Sequence, residues 1–350
     1  MLFLLITRLF LTEKQVQKRK YALQFKLTTL ILIGILIAFS LQGYGFYSIL
    51  FSSLFQLLNY WFIYSFFRDS KQAPDPKHVV AIRFVKTGLW LAILSTLAPW
   101  GVGILSAKGL NGTEAYHSFI YFFLHFQYNG WFLFVALGLC FKVLEKDAII
   151  YNQQHALRFY WLFTIAVIPA LALSYLGMSF RAYILVPAYL GATLQLVGAA
   201  FFGLMLKPLL SSWFRNKNLW FQVFFTAFLA SFFLKITLQF ISVFPVFEQY
   251  VFGNKNIILA YLHLNFIGLL SFLLLALLIN LKWLRLNLIS KIGSALLVLG
   301  FIVTELILML GGMAIFYDHK VLFLGSLAMS IGILMLVLSP LKPRQANGKL

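Results

Sequence analysis

The chain has 350 residues, of which 62% are hydrophobic and 11% charged, with a mean hydropathy of +0.90 and a formal net charge of +19 at pH 7. Repeated apolar runs of bilayer-spanning length make it a polytopic membrane protein, so its basicity does not imply the nucleic-acid partner it would suggest in a soluble chain. The single cysteine, Cys140, excludes an internal disulfide, an iron–sulfur cluster and a cysteine-based zinc site.

Residues 1–25 place their charges after an apolar stretch that already contains Arg8, the wrong order for a cleavable signal peptide. They read as a cytoplasmic, interfacial segment leading into the first span. Spans at 26–43 and 45–67 form a helical hairpin about Gln42-Gly43-Tyr44-Gly45, and the polar segment Arg68 to His78, with two prolines, reads as a loop. The third span, 84–106, carries Pro99 and Trp100 near its far end, where a bend and an interfacial indole both fit. The fourth covers 117–141, the fifth 157–178 and the sixth 183–206; together 84–206 make a four-helix unit. The seventh to tenth, at 219–243, 256–281, 292–316 and 321–340, make a second unit over 219–340, followed by a tail at 341–350. The expected fold is thus all-α: a single integral membrane domain of about ten helices with an internal four-helix repeat.

Lysine and arginine mark the orientation, because they concentrate on the cytoplasmic side. Of 28, the segments expected inside hold 23, those expected outside hold only Lys108, Arg181, Lys255 and Lys320, and Lys235 lies within a span. Both termini are therefore expected in the cytoplasm of a cell that carries this protein in its cytoplasmic membrane. The fourth and eighth spans then run in the same direction, from outside to inside.

Those two spans carry the most informative pattern. Leu124 to Phe134 (LHFQYNGWFLF) and Leu262 to Phe272 (LHLNFIGLLSF) both read L-H-x-[QN]-[YF]-x-G-x-x-x-F, with His125 and His263 separated by 138 positions. Each histidine falls about 10 Å from the outer boundary at 1.5 Å per residue. An imidazole at that depth is costly unless it is used or bonded. Two readings stand side by side: packed histidines bonded to neighbouring helices, or the two axial ligands of one haem. On an α-helix the positions three, four and seven residues on share the imidazole's face. Tyr128, Asn129 and Phe132, and in the second copy Phe266, Ile267 and Leu270, would then form the wall of a flat ligand or an ordinary packing face. Gln127 and Asn265 point elsewhere and suit interhelical bonds, while Gly130 and Gly268 admit a close backbone or a flat ligand.

The string Tyr261-Leu262-His263-Leu264-Asn265-Phe266-Ile267-Gly268 resembles the H-x-H-L-N-L-L-G segment of divergent members of the haem-copper oxidase subunit I superfamily, including NnrS-type membrane proteins. The resemblance implies arcs of four helices in which the second helix supplies a histidine, as His125 and His263 would. It implies a relative with one haem or with none; haem iron, on the residue pattern itself, would fall to His125 and His263, and a membrane or periplasmic redox partner is expected with it. This chain departs from the superfamily pattern: it has no His-His pair, and Tyr261 stands where the family string has a histidine, so the usual three-histidine copper site cannot form.

Two further charges sit inside spans, Lys235 in the seventh and Glu305 in the ninth. Both read as lying near mid-depth, where they would pair with each other or serve a proton, ion or substrate path. The sequence therefore supports a haem-binding, oxidase-like membrane protein in electron transfer or diatomic-gas handling. The alternatives are a transporter or channel with a Lys/Glu site, and a non-catalytic scaffold. The surrounding lipid bilayer is a partner in all three; nucleic acid is a partner in none.

Overall fold

The computed structural model describes residues 1–43, 45–71, 79–247, 250 and 253–339, and every regular element among them is helical. Among the described residues nine helices are long and apolar enough to cross a bilayer, and a bent pair makes ten if its two helices are counted as one span. The helical solution follows from the solvent: hydrocarbon offers backbone N–H and C=O groups no partners, so each spanning segment must satisfy its own. The chain divides into two compact units, Met1–Lys146 and Asp147–Leu350. That boundary falls inside the stretch 84–206 that the repeat pattern grouped as one four-helix unit.

In the first unit, residues Leu2–Phe10 form a helix that packs through its apolar face on neighbouring spans. Leu5 and Ile6 are fully buried, and the Phe3 ring stacks on Phe62 at 4.0 Å and contacts Trp131 at 5.1 Å. A helix with one strongly apolar face docks on any apolar surface within reach, and here the second and fourth spans provide it. The first span is Lys20–Gln42 and the second Phe46–Ser70, so Arg68 to Ser70 continue a helix instead of opening a loop. The rest of that expected loop, 72–78, lies outside the described residues, as do Tyr44 and the tail.

The continuation has a cause. Asp69 is buried at the end of the second span, where its carboxylate lies 2.8 Å from Lys20 Nζ and 3.5 Å from Lys18 Nζ and accepts a 2.9 Å bond from the Tyr21 hydroxyl. Gln15 Nε2 donates to the Asp69 carbonyl at 2.9 Å. This cluster ties the N-terminal segment to the hairpin. The third span runs Val79–Ser95, breaks at Thr96 and resumes as Leu97–Ala107. Pro99 explains the break, because its ring has no N–H and collides with the carbonyl four residues back, that of Ser95. The fourth span, Glu114–Lys146, packs on the third through Phe84, whose ring meets Phe134 at 5.7 Å and Phe141 at 5.6 Å.

In the second unit, the fifth crossing is not the continuous helix expected over 157–178. Gln153–Ala166 gives way to a 3-10 segment, Pro169–Tyr175, with a bend of 51° at the proline. The sixth span, Arg181–Arg215, continues through Pro208, so the expected inner loop from Lys207 is helical as far as Arg215. The seventh is Leu219–Ile241, the eighth Lys255–Asn280, the ninth Leu288–Gly312 and the tenth His319–Leu338. Phenylalanines fill the core: Phe202 stacks on Phe159 at 4.6 Å and meets Phe232 at 5.5 Å. At one end of this unit Asp147 Oδ2 accepts from Trp213 Nε1, Lys217 Nζ and Asn280 Nδ2 at 3.0, 2.7 and 3.1 Å. The ninth and tenth spans cross backbone to backbone at glycines: a Cβ on Gly300 would stand 2.6 Å from the Gly325 carbonyl, and one on Gly332 2.6 Å from that of Gly293.

Removing the Asp69 carboxylate leaves Lys20 and the Tyr21 hydroxyl without their partner. Asp69→Ala is expected to cost about 3–5 kcal/mol, the range for breaking a buried pair from one side, read as a lowered unfolding midpoint in detergent. An unchanged midpoint contradicts the cluster's structural role.

Candidate functional site

Both histidines close an α-helical stretch and open a π-helical one. Glu114–His125 passes into the π segment Phe126–Phe132, and Lys255–His263 into Leu264–Ser271. π turns are rare and concentrate at functional sites, so their recurrence at the same place in both copies gives the sequence repeat a structural counterpart. In each copy the preceding span packs against the π segment. A Cβ on Gly130 would come within 2.9 Å of Leu91 Cβ, and one on Gly268 within 2.9 Å of Phe301, with Ser231 closer still. These glycines therefore admit the close approach of neighbouring helices.

The π segment also revises the face projected from 3.6-residue periodicity, since i→i+5 bonding rotates the residues that follow. Asn129 does reach the imidazole, its Nδ2 lying 3.2 Å from His125 Nδ1. Tyr128 instead stacks on Phe132 at 6.2 Å. Gln127 donates to Ser95 Oγ at 2.8 Å, the interhelical bond expected of it, whereas Asn265 donates to the Tyr261 carbonyl of its own helix at 2.6 Å.

The two histidines differ in what they touch. His125 is only 2% exposed, and its Nδ1 faces the Asn129 amide at 3.2 Å. His263 keeps 30% of its side chain accessible and places Nδ1 3.2 Å from Glu305 Oε1, without the alignment of a full hydrogen bond. A proton on Nδ1 facing that carboxylate leaves the Nε2 lone pair as the ring's open acceptor. As a test of the haem expectation, His263 has the oriented imidazole that an axial ligand needs. His125 meets a neutral amide through Nδ1 where His263 meets a carboxylate.

Glu305 consequently meets His263 and not Lys235, which corrects the expected Lys–Glu pair. Lys235 is fully buried; its Nζ donates to Gln239 Oε1 at 2.7 Å and stands 5.6 Å from the centre of the Tyr261 ring. Depth is also revised. Lys235 lies six residues before Ile241, His263 eight after Lys255 and Glu305 seven before Gly312. At 1.5 Å per residue these offsets put all three about 9–12 Å from one end of their spans. Gln239 and Tyr261 are site residues that the sequence reading missed, although Gln239 sits four positions from Lys235 on one helical face.

Among the described residues no group of three or more His, Cys, Asp or Glu is placed to hold a metal ion. No protein-family model matches the chain, and comparison with curated proteins gives no match.

The contacts make a quantitative expectation. Lys235→Met and Glu305→Gln should act on stability additively, within about 0.5 kcal/mol, as residues without a shared partner do. Lys235→Met and Gln239→Leu should instead couple by about 0.5–1.5 kcal/mol, the value of a buried side-chain hydrogen bond. Unfolding midpoints of the singles and doubles decide it, and coupling in the first pair alone would contradict the geometry.

Proposed function

We propose that this is a multi-pass protein of the cytoplasmic membrane that moves protons, alone or with a solute, through a site in its seventh to ninth spans. The observation that carries this reading is the His263–Glu305 contact at 3.2 Å inside two apolar spans, close in depth to the buried Lys235. An ionisable pair within hydrocarbon is expensive and is kept where it does work. An imidazole and a carboxylate at this separation need only a small rotation to pass a proton from one to the other. Lys235, held by Gln239, places its amine beside Tyr261 on the same helix as His263. With both termini cytoplasmic, as the charge count implies, the pair lies nearer the outer face.

A second reading is favoured by one detail of the same contact. Glu305 orients His263 so that Nε2 can ligate, as it would in a haem-binding, oxidase-like protein of electron transfer or gas handling with a redox partner. His263 would hold the haem and Glu305 would fix the ring; the iron would supply reversible electron transfer or diatomic-gas binding.

Proteoliposomes with an internal pH dye and an imposed potassium diffusion potential separate the readings. Wild-type protein should acidify or alkalinise the lumen faster than empty vesicles, and Glu305→Gln and His263→Ala should abolish the difference. Flux that survives Glu305→Gln contradicts the proposal. A Soret band in the purified protein that disappears in His263→Ala and persists in His125→Ala would establish the second reading instead.

A further inference from the structure

The second unit holds two buried polar side chains that no motif accounts for. Gln195 in the sixth span is 2% exposed and its Oε1 accepts no hydrogen bond from any described residue; Thr164 Oγ1 in the fifth is likewise buried and unpartnered. A buried amide oxygen left unpaired costs about 1–3 kcal/mol, and native interiors pair such atoms with protein or with water.

Helix register places both side chains beside the site already described. On the sixth and seventh spans the Phe202 ring meets Phe232 at 5.5 Å, and further along Ala188 and Ala192 pack in one cluster with Val243 and Phe240. Moving from Phe202 back to Ala192 therefore corresponds to moving from Phe232 on to Val243. Gln195 and Gln239 fall in the same interval on facing helices. In the fifth span Phe163 stacks on Phe232 at 5.8 Å and lies against Gly198, which sets Thr164 beside that interval. Two residues later the helix ends, and Pro169, lacking an N–H, leaves the Ile165 carbonyl without its helical donor. Beyond Gln239 come Lys235, then Tyr261 and His263, then Glu305. Thr164, Gln195 and Gln239 thus fall at one level of the fifth, sixth and seventh spans, and Lys235, one turn along the seventh, leads from that level toward Tyr261.

We infer that Thr164, Gln195 and Gln239 hold a chain of water molecules that extends the His263–Glu305 site across the second unit to the break in the fifth span. A buried water needs two to four polar partners, and the orphaned amide oxygen, hydroxyl and freed carbonyl of this layer provide them. The ligand of this added subsite is water. On the proton-transfer reading proposed above, the chain delivers the proton that the imidazole–carboxylate pair exchanges; the hydration itself does not depend on that reading.

Thiol accessibility tests the inference in reconstituted vesicles. With Cys140→Ala as background, Gln195→Cys and Thr164→Cys are exposed to a permanently charged methanethiosulfonate, which reacts with thiolate and therefore requires water at the sulfur. Ala199→Cys, four positions along the sixth span at a site equally buried, is the dry control. Cysteines at 195 and 164 should react faster than the control by about an order of magnitude. Reaction at neither position, in variants that melt within a few degrees of the background, overturns the inference whatever the proton flux. Labelling at 195 or 164 without flux in the wild type keeps the hydrated layer and removes the proton role. Gln195→Leu is the complementary variant. It should slow flux about tenfold if water passes there, whereas a merely unpaired amide would give raised stability and unchanged flux, the opposite outcome.

Discussion

Hydrocarbon gives a polar group no solvent partner, and that constraint organises the rest of this molecule. Backbone groups meet it by staying helical, and the side chains meet it in pairs: His263 with Glu305, Lys235 with Gln239, His125 with Asn129. Where the helix is interrupted, a proline is responsible, at Pro99 and at Pro169. The interruption in the fifth span is the more consequential, because freed backbone acceptors in a membrane interior must face protein or water.

The repeat and its divergence are best understood together. Both copies keep the histidine, the π segment after it and the glycine that seats a neighbouring span. They differ at the position four residues on. Asn129 satisfies His125 from within its own helix, while Ile267 has no such group and His263 turns to Glu305 of the ninth span. One histidine is thereby closed off by its own helix and the other is linked to a second ionisable group. The two copies thus keep the histidine and differ in the chemistry of the group it meets, an amide in one and a carboxylate in the other.

Much of the fold was legible in the sequence, because runs of about 20 apolar residues have few alternatives to a membrane helix. The span order, the kink at Pro99 and the interhelical role of Gln127 all came from local chemistry. The break at Pro169 did not, since that proline sits inside an apolar run that reads as continuous. Nor did the docking of Leu2–Phe10, whose apolar face suits a bilayer surface as well as a helix bundle. The Lys235–Glu305 pairing failed for a rotational reason: opposite charges on two spans suggest a bridge, yet which neighbour each side chain faces is set by helix register. The π segments hid for a similar cause, since periodicity arguments assume 3.6 residues per turn throughout. Gln195 and Thr164 gave no signal at all, because a single amide or hydroxyl in an apolar helix is ordinary until its partners are known.

The account turns on a proton shared between His263 and Glu305. Nitrogen NMR of protein labelled with 15N at histidine and reconstituted in lipid reads that proton directly. The account predicts that the His263 ring carries a proton on Nδ1, toward Glu305, and that Glu305→Gln shifts the His263 signals while leaving those of His125 unmoved. A His263 Nδ1 without a proton in the wild type, or His263 signals that ignore the Glu305→Gln substitution, would contradict it.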